Sequence, residues 1–204
     1  MVSLSRFSIP LSLGVGVVRL VILGGAGAGK GTQARQLSTH LNVPCIATGD
    51  ILRTAIASGT VLGCQAQPYV EKGELVPDEI MIEFMRQRLL LPDVTKGWVL
   101  DGYPRTAFQA EELDFLLEDL QQHLDWAIWL DVPDAVLIGR SLQRSRQDDQ
   151  PEIVSRRIEL FKQRTIPILE YYEYRQRLIT INGNQSPEQV QQDILQQLNE
   201  TISH

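Results

Sequence analysis

The stretch Gly24-Gly25-Ala26-Gly27-Ala28-Gly29-Lys30-Gly31-Thr32 brings together the residue types that hold phosphate. Glycines let consecutive backbone N–H groups converge on one point with no Cβ in the way. A helix begun there adds roughly half a positive charge at its amino terminus, and Lys30 adds a mobile full one. The spacing Gly24-x-x-x-x-Gly29-Lys30 fits the phosphate-loop pattern, with the usual Ser/Thr displaced one place to Thr32 by Gly31. Gly27, Ala28, Gly29, Lys30, Gly31 and Thr32 are therefore the candidate phosphate-binding residues. A glycine-rich turn carrying a surface lysine is the plainer alternative, but turn chemistry alone does not require this density of glycines.

Asp101-Gly102-Tyr103-Pro104-Arg105-Thr106 is the second stretch with chemistry in it. An aspartate ending an apolar strand beside such a loop is where magnesium is held, usually through water, which makes Asp101 the metal-side candidate with Thr32. Arg105 stands just before a helix, where a cation is unfavourable, and that placement points to an anionic ligand. Arg53 follows Gly49-Asp50 by one turn and alone would be a surface charge. Arg140, Arg144, Arg146, Arg156 and Arg157 crowd one region interrupted by Asp148-Asp149. They suit either a solvated helix face or a clamp on polyphosphate, for which arginine supplies planar bidentate donors.

The elements that must position these groups follow from periodicity. Leu20-Val21-Ile22-Leu23 predicts a strand, and Thr32-Gln33-Ala34-Arg35-Gln36-Leu37 predicts a helix ending near Leu41-Asn42. Val43–Ala47, Trp98–Asp101, Asp125–Leu130 and Leu178–Ile181 are further short apolar runs between helical patterns, which predicts an α/β fold with a five-stranded parallel sheet. Residues 60 to 72 read as a helix stopped at Lys72-Gly73. Pro77, Asp78 and Glu79 suit a first helical turn, so both acids are expected to serve the helix dipole. Ile80, Met81, Phe84, Met85 and Leu89 then recur as a core face. Pro167 is expected to bend or interrupt the helix that carries Phe161, and Ser186-Pro187-Glu188 opens a final amphipathic helix.

Composition narrows the classes. With 204 residues, 43% of them hydrophobic, the chain can bury a good core as one domain, and a net charge of -6 gives no basic footprint for nucleic acid. Cys45 and Cys64 lack the neighbouring Cys or His that zinc requires, so both are expected to be reduced, buried small hydrophobes. Residues 1–17 carry no acidic residue and are too short and too broken to span a membrane. Either they form a disordered leader, or the working chain starts near Val17 or Val18 and the domain occupies 18–204.

Taken together, these stretches resemble the adenylate kinases, within the nucleoside monophosphate kinases, from about Val18 to the end. The family's D-G-[FY]-P-R-T with a later glutamine stands here as Asp101–Thr106 and Gln109. Its loop usually carries proline where this chain has Ala26. The resemblance implies the P-loop nucleoside triphosphate fold and transfer of the terminal phosphoryl group of ATP to AMP, with magnesium and no zinc. It implies a monomer in the cytoplasm whose partners are ATP and AMP, with no nucleic acid and no membrane.

By the same resemblance, 47–76 is the small mobile segment over the monophosphate, and 143–149 is a lid of the short form. Thr48, Arg53, Glu74, Leu75, Val76, Gly102, Tyr103, Pro104, Arg105 and Gln109 are expected to line the AMP pocket. Gln109 would match the adenine edge with its amide, and with Thr48 it would set base identity, where pyrimidine kinases tend to have Asn and Ala. Arg140 and Arg144 would reach ATP and the transferring group, Arg146 and Arg157 would gather charge across both nucleotides, and Gln185 would lie by the ATP adenine. Lys30, Arg105 and the four arginines 140, 144, 146 and 157 form the expected catalytic set. The rivals are a kinase of another monophosphate and a nucleotide-dependent switch without transferase activity. The chain has no Asn-Lys-x-Asp guanine-reading motif.

Overall fold

The computed structural model describes residues 17–143 and 150–202. The expected leader up to residue 16 lies outside them, as do positions 144–149 of the expected lid with Arg144 and Arg146. Strand β1 (Val18–Leu23) runs at the centre of a sheet in the order β2-β3-β1-β4-β5, with β2 (Cys45–Ala47), β3 (Gly97–Asp101), β4 (Trp126–Asp131) and β5 (Leu178–Asn182). Every pairing is parallel. The sequence-based expectation of five parallel strands therefore holds.

Strands covered on both faces read as continuous apolar runs, and alternate side chains go to opposite sides. Val21, Leu23, Leu100, Ala127 and Trp129 enter one core, beneath α2 (Thr48–Ala57), α3 (Val61–Glu71), α4 (Asp78–Leu89), α5 (Ala107–Asp119) and α8 (Pro167–Tyr174). Leu20, Ile22, Val99, Ile128 and Leu130 enter the other, beneath α1 (Lys30–Leu41), α6 (Asp134–Gln143), α7 (Pro151–Leu160) and α9 (Pro187–Ile202). Arg19 interrupts the β1 run, yet it is buried. Its backbone N–H donates to Asp125 Oδ2 (2.7 Å) and its Nε donates to Gln122 Oε1 (2.8 Å).

The chain leaves β1 toward β2 at one edge and leaves β3 toward β4 and β5 at the other. In open parallel sheets the crevice at such a reversal, beyond the carboxyl ends of the strands, is where ligands bind. Here the loops after β1 and β3 border it.

Pro167 does interrupt a helix, by a particular route. Proline has no N–H, and its ring would strike a carbonyl one turn back in a regular helix. Between α7 and α8 the backbone widens over Phe161–Thr165, and the Ile166 N–H reaches back five residues to Phe161 O (3.1 Å). One expectation fails: Cys64 is exposed and Cys45 only half-buried, both free thiols. Position 64 lies on the outward side of α3, whose packed residues are Gly63 and Ala66. The Cys45 thiol is pushed up by burial, with Asp101 adding to the shift.

Candidate active site

Helix α1 begins without help from its own side chains. Its N-cap is Gly29, no side chain caps it, and its first turn holds no acidic residue. The helix dipole is left uncompensated by any side chain, which favours an external anion there. Lys30 lies over the loop, its Nζ donating to Gly24 O (2.7 Å) and Gly25 O (2.9 Å). Gly27 has φ 85, and a Cβ there would stand 2.4 Å from Leu137 O, so only glycine lets the loop rest on α6. Ala28 is buried under the loop, and its N–H donates to Gly25 O (3.1 Å), closing a turn.

The loop opens on a cleft of about 430 Å³. Gly27, Gly29, Lys30, Gly31 and Thr32 line one end of it, and Thr48, Arg53, Glu74, Leu75, Val76, Gly102, Pro104, Arg105 and Gln109 line the other, together with Asp101, Arg140 and Arg157. The structure thus gathers nearly all the expected residues that it describes. Three others fall behind the surface or to one side: Ala28, buried under the loop, and Tyr103 and Gln185. Tyr103 is buried in the core and its hydroxyl donates to Gln109 O (3.2 Å). The Gln185 amide is tied to Asn182 O (2.9 Å) and Asp193 Oδ2 (2.7 Å).

Beyond β3 the backbone turns through Gly102 (φ 89), where a Cβ would stand 2.6 Å from Thr48 Oγ1. The buried Thr48 hydroxyl donates to Asp101 O (3.1 Å), so β2 and β3 are joined at the cleft floor. The Tyr103-Pro104 peptide is cis. Arg105 reaches into the cleft, its Nε donating to Gly102 O (2.7 Å). The protein around it holds its guanidinium below the ordinary arginine range, chiefly by desolvation; Asp101 opposes this, and Arg157 and Arg53 add to it. Arginine remains charged regardless. Like charges collected at one point of a folded protein cost energy that an anionic ligand offsets.

Two contributors, Arg35 and Thr165, carried no recognisable sequence signal, and the role of a third, Asp78, was misread. Arg35, one turn along α1, lines the cleft. The buried Thr165 hydroxyl in the widened turn donates to Arg105 O (3.0 Å). Asp78, expected to serve only the helix dipole, accepts from Gln109 Nε2 (2.7 Å) and from Thr106 Oγ1 (3.2 Å).

Among the described residues no cluster of three or more His, Cys, Asp or Glu is placed to hold a metal ion by itself. The donors fit magnesium carried in on phosphates, which keeps most of its waters and takes one or two protein oxygens. A methyl group added at Gly31 would stand 3.1 Å from Asp101 Oδ2, which places that carboxylate beside the start of α1.

A doubly covered parallel sheet, a glycine loop entering an uncapped helix and arginines facing it define the class: a P-loop phosphotransferase. The family model described as adenylate kinase matches residues 22–177. Adenylate kinase 2 of Nostoc sp. strain PCC 7120 is 65% identical over 181 residues, 89% of this chain and 98% of that protein. Adenylate kinase 2 of Synechocystis sp. strain PCC 6803 is 55% identical over 181 residues, covering 89% and 100%. Adenylate kinase 1 of the same Nostoc is 46% identical over 178 residues, covering 87% and 97%. The chain belongs to the adenylate kinase family. It is an enzyme that transfers the terminal phosphoryl group of ATP to AMP. No helix among the described residues is long and apolar enough to cross a membrane.

Proposed function

We propose that both substrates occupy this one cleft together, ATP phosphates at the start of α1 and AMP between Thr48, Arg53 and Gln109, so that transfer runs between them past Arg105 and Arg157. The observation that carries this reading is the opening of one cleft onto both an uncapped helix start and a group of arginines. Phosphoryl transfer needs in-line positioning and neutralisation of charge more than covalent chemistry. An AMP phosphate oxygen is already anionic, so no general base is required. Loop N–H groups and Lys30 hold the β- and γ-phosphates; to do so Lys30 exchanges its carbonyl partners Gly24 and Gly25 for phosphate oxygens.

Arg105, Arg157 and Arg140, with Arg144 and Arg146 from the segment outside the described residues, clamp the transferring group and both nucleotides. Thr32 and Asp101 would hold magnesium, largely through water, and the ion would neutralise charge on the β- and γ-phosphates. Segment 47–76 covers the monophosphate, with Glu74, Leu75, Val76 and the backbone at Gly102 to Pro104 as its walls. The short lid over ATP excludes water and limits hydrolysis. Gln185 acts through neighbouring backbone beside the ATP adenine, since its own amide is engaged elsewhere. We take the enzyme to work as a monomer in the cytoplasm, as the resemblance implies.

The test is product formation by the purified protein with ATP and magnesium plus, separately, AMP, GMP, CMP, UMP or no acceptor, with all nucleotides resolved by chromatography. Two ADP per ATP consumed, with AMP alone, is expected. Transfer to a different monophosphate would keep the mechanism and overturn the base-reading roles of Thr48 and Gln109. ATP binding without transfer would overturn the whole assignment.

A further inference from the structure

Gln109 is buried, and three neighbours hold it in place. Its Oε1 accepts from the Arg105 backbone N–H (2.8 Å), its Nε2 donates to Asp78 Oδ1 (2.7 Å), and its own N–H is capped by Thr106 Oγ1 (3.1 Å). The Thr106 hydroxyl in turn donates to the same Asp78 oxygen (3.2 Å), so one carboxylate oxygen receives both side chains. A carboxylate only accepts and a backbone N–H only donates. The amide therefore has one permitted orientation. Turning it over would set its oxygen against Asp78 and its NH₂ against the Arg105 N–H, leaving two buried groups unpaired.

An amide has two N–H donors and two lone pairs, so this arrangement leaves one of each for the cleft that Gln109 lines. We infer that Asp78 sets the base specificity of the monophosphate site by fixing the Gln109 amide with its oxygen toward an amine and its N–H toward a ring nitrogen. This rests on the reading of Gln109 as the base-contacting residue given above. Adenine presents that amine and that acceptor. Hypoxanthine presents the reverse, a carbonyl oxygen and a ring N–H, and would require the amide that Asp78 forbids. Asp78 touches no substrate; it is a positioning residue, carried by the start of α4 to the start of α5, whose cap Thr106 lies 28 residues away in sequence.

Steady-state kcat and KM for AMP and IMP, with ATP saturating, measured on the full chain and on Asp78→Asn and Asp78→Glu, test this. An asparagine at 78 turns to offer either a donor or an acceptor, which removes one of the two constraints on the Gln109 amide and leaves only the Arg105 N–H against its turning over. The ratio of kcat/KM for AMP to that for IMP is expected to fall at least about tenfold in Asp78→Asn, on the scale of one bidentate base contact. Most of that fall should come from a higher KM for AMP, with the KM for ATP unchanged. Asp78→Glu keeps a carboxylate acceptor and should retain most of the ratio. An unchanged ratio in folded Asp78→Asn overturns the inference.

Should Asp78→Asn not fold, ¹H–¹⁵N spectra of the wild-type protein decide. The Gln109 side-chain N–H that Asp78 holds is expected to resist solvent exchange without ligand, and free exchange of that N–H overturns the inference. Failure of the wild-type protein to use AMP would instead overturn the base-reading role of Gln109 itself.

Discussion

With both nucleotides in the cleft as proposed, its two ends would meet anions by different means. At the α1 end the donors are backbone N–H groups and one lysine, all within Gly24–Thr32, and no side chain caps the helix. At the other end the helix starts carry their own polar side chains: Thr106 caps α5, Asp78 and Glu79 fill the first turn of α4, and Asp50 stands in the first turn of α2. There the ligand must be held by side chains, and Arg53, Arg105 and Arg157 come from three separate elements. A backbone site is fixed by local chain geometry, while a side-chain site is fixed by a network of partners. The first should fail through conformation, the second through loss of charge or of a single hydrogen bond.

Arg105→Ala is the sharpest way to break the side-chain end. Removing a guanidinium that supplies charge-assisted donors is expected to lower kcat/KM for AMP about 100-fold, near 3 kcal/mol of transition-state stabilisation. Because the ligand-free protein disfavours that charge, chiefly by desolvation and further through Arg157 and Arg53 despite the pull of Asp101, its thermal midpoint should not fall. Unchanged kinetics would remove Arg105 from the mechanism. A collapsed midpoint would show its role to be structural.

Gly27→Ala attacks the backbone end. The new methyl would meet Leu137 O at 2.4 Å and Ser141 Oγ at 2.8 Å, at a φ of 85 that alanine resists. Strain of about 1–3 kcal/mol is expected. For a chain of this size that lowers the melting point by about 2–4 °C per kcal/mol, with a raised KM for ATP. A wild-type midpoint and wild-type ATP kinetics would show that the loop does not rest on α6 as described.

The same difference governs what could be read from the sequence. The α1 end is legible because its residues are contiguous and glycine spacing encodes its geometry. The sheet is legible because strands covered on both faces are apolar throughout, as in Leu20–Leu23. Arg35 and Thr165 had no signal, since an arginine on a helix and a threonine after Arg164 are ordinary surface residues until the fold turns them inward. Asp78 sent a misleading one: an acid in a first helical turn satisfies the dipole argument, and nothing local announces Gln109, 31 positions on, as its partner. Cys64 was misread because a small apolar type says little about which side of a helix it occupies.

Smaller effects separate buried partners from exposed ones at the side-chain end. Thr165→Val keeps shape but removes the donor to Arg105 O, and should cost about 1 kcal/mol, seen as a several-fold lower kcat/KM for AMP with the ATP KM unchanged. Wild-type kinetics in that variant would mean that the Arg105 backbone is fixed by the Gln109 contact alone. Asp134→Asn is the counterpart. It breaks the ion pair with Lys162 that ties α6 to the widened turn, with both side chains about half exposed (47% and 54%). Solvent screens such pairs, so the midpoint should move by no more than that of a pair worth about 0–1 kcal/mol, and the residual effect should vanish at high salt. A loss larger than that of Thr165→Val would reverse the comparison, because the widened turn would then be held in place from its exposed face rather than through its buried hydroxyl.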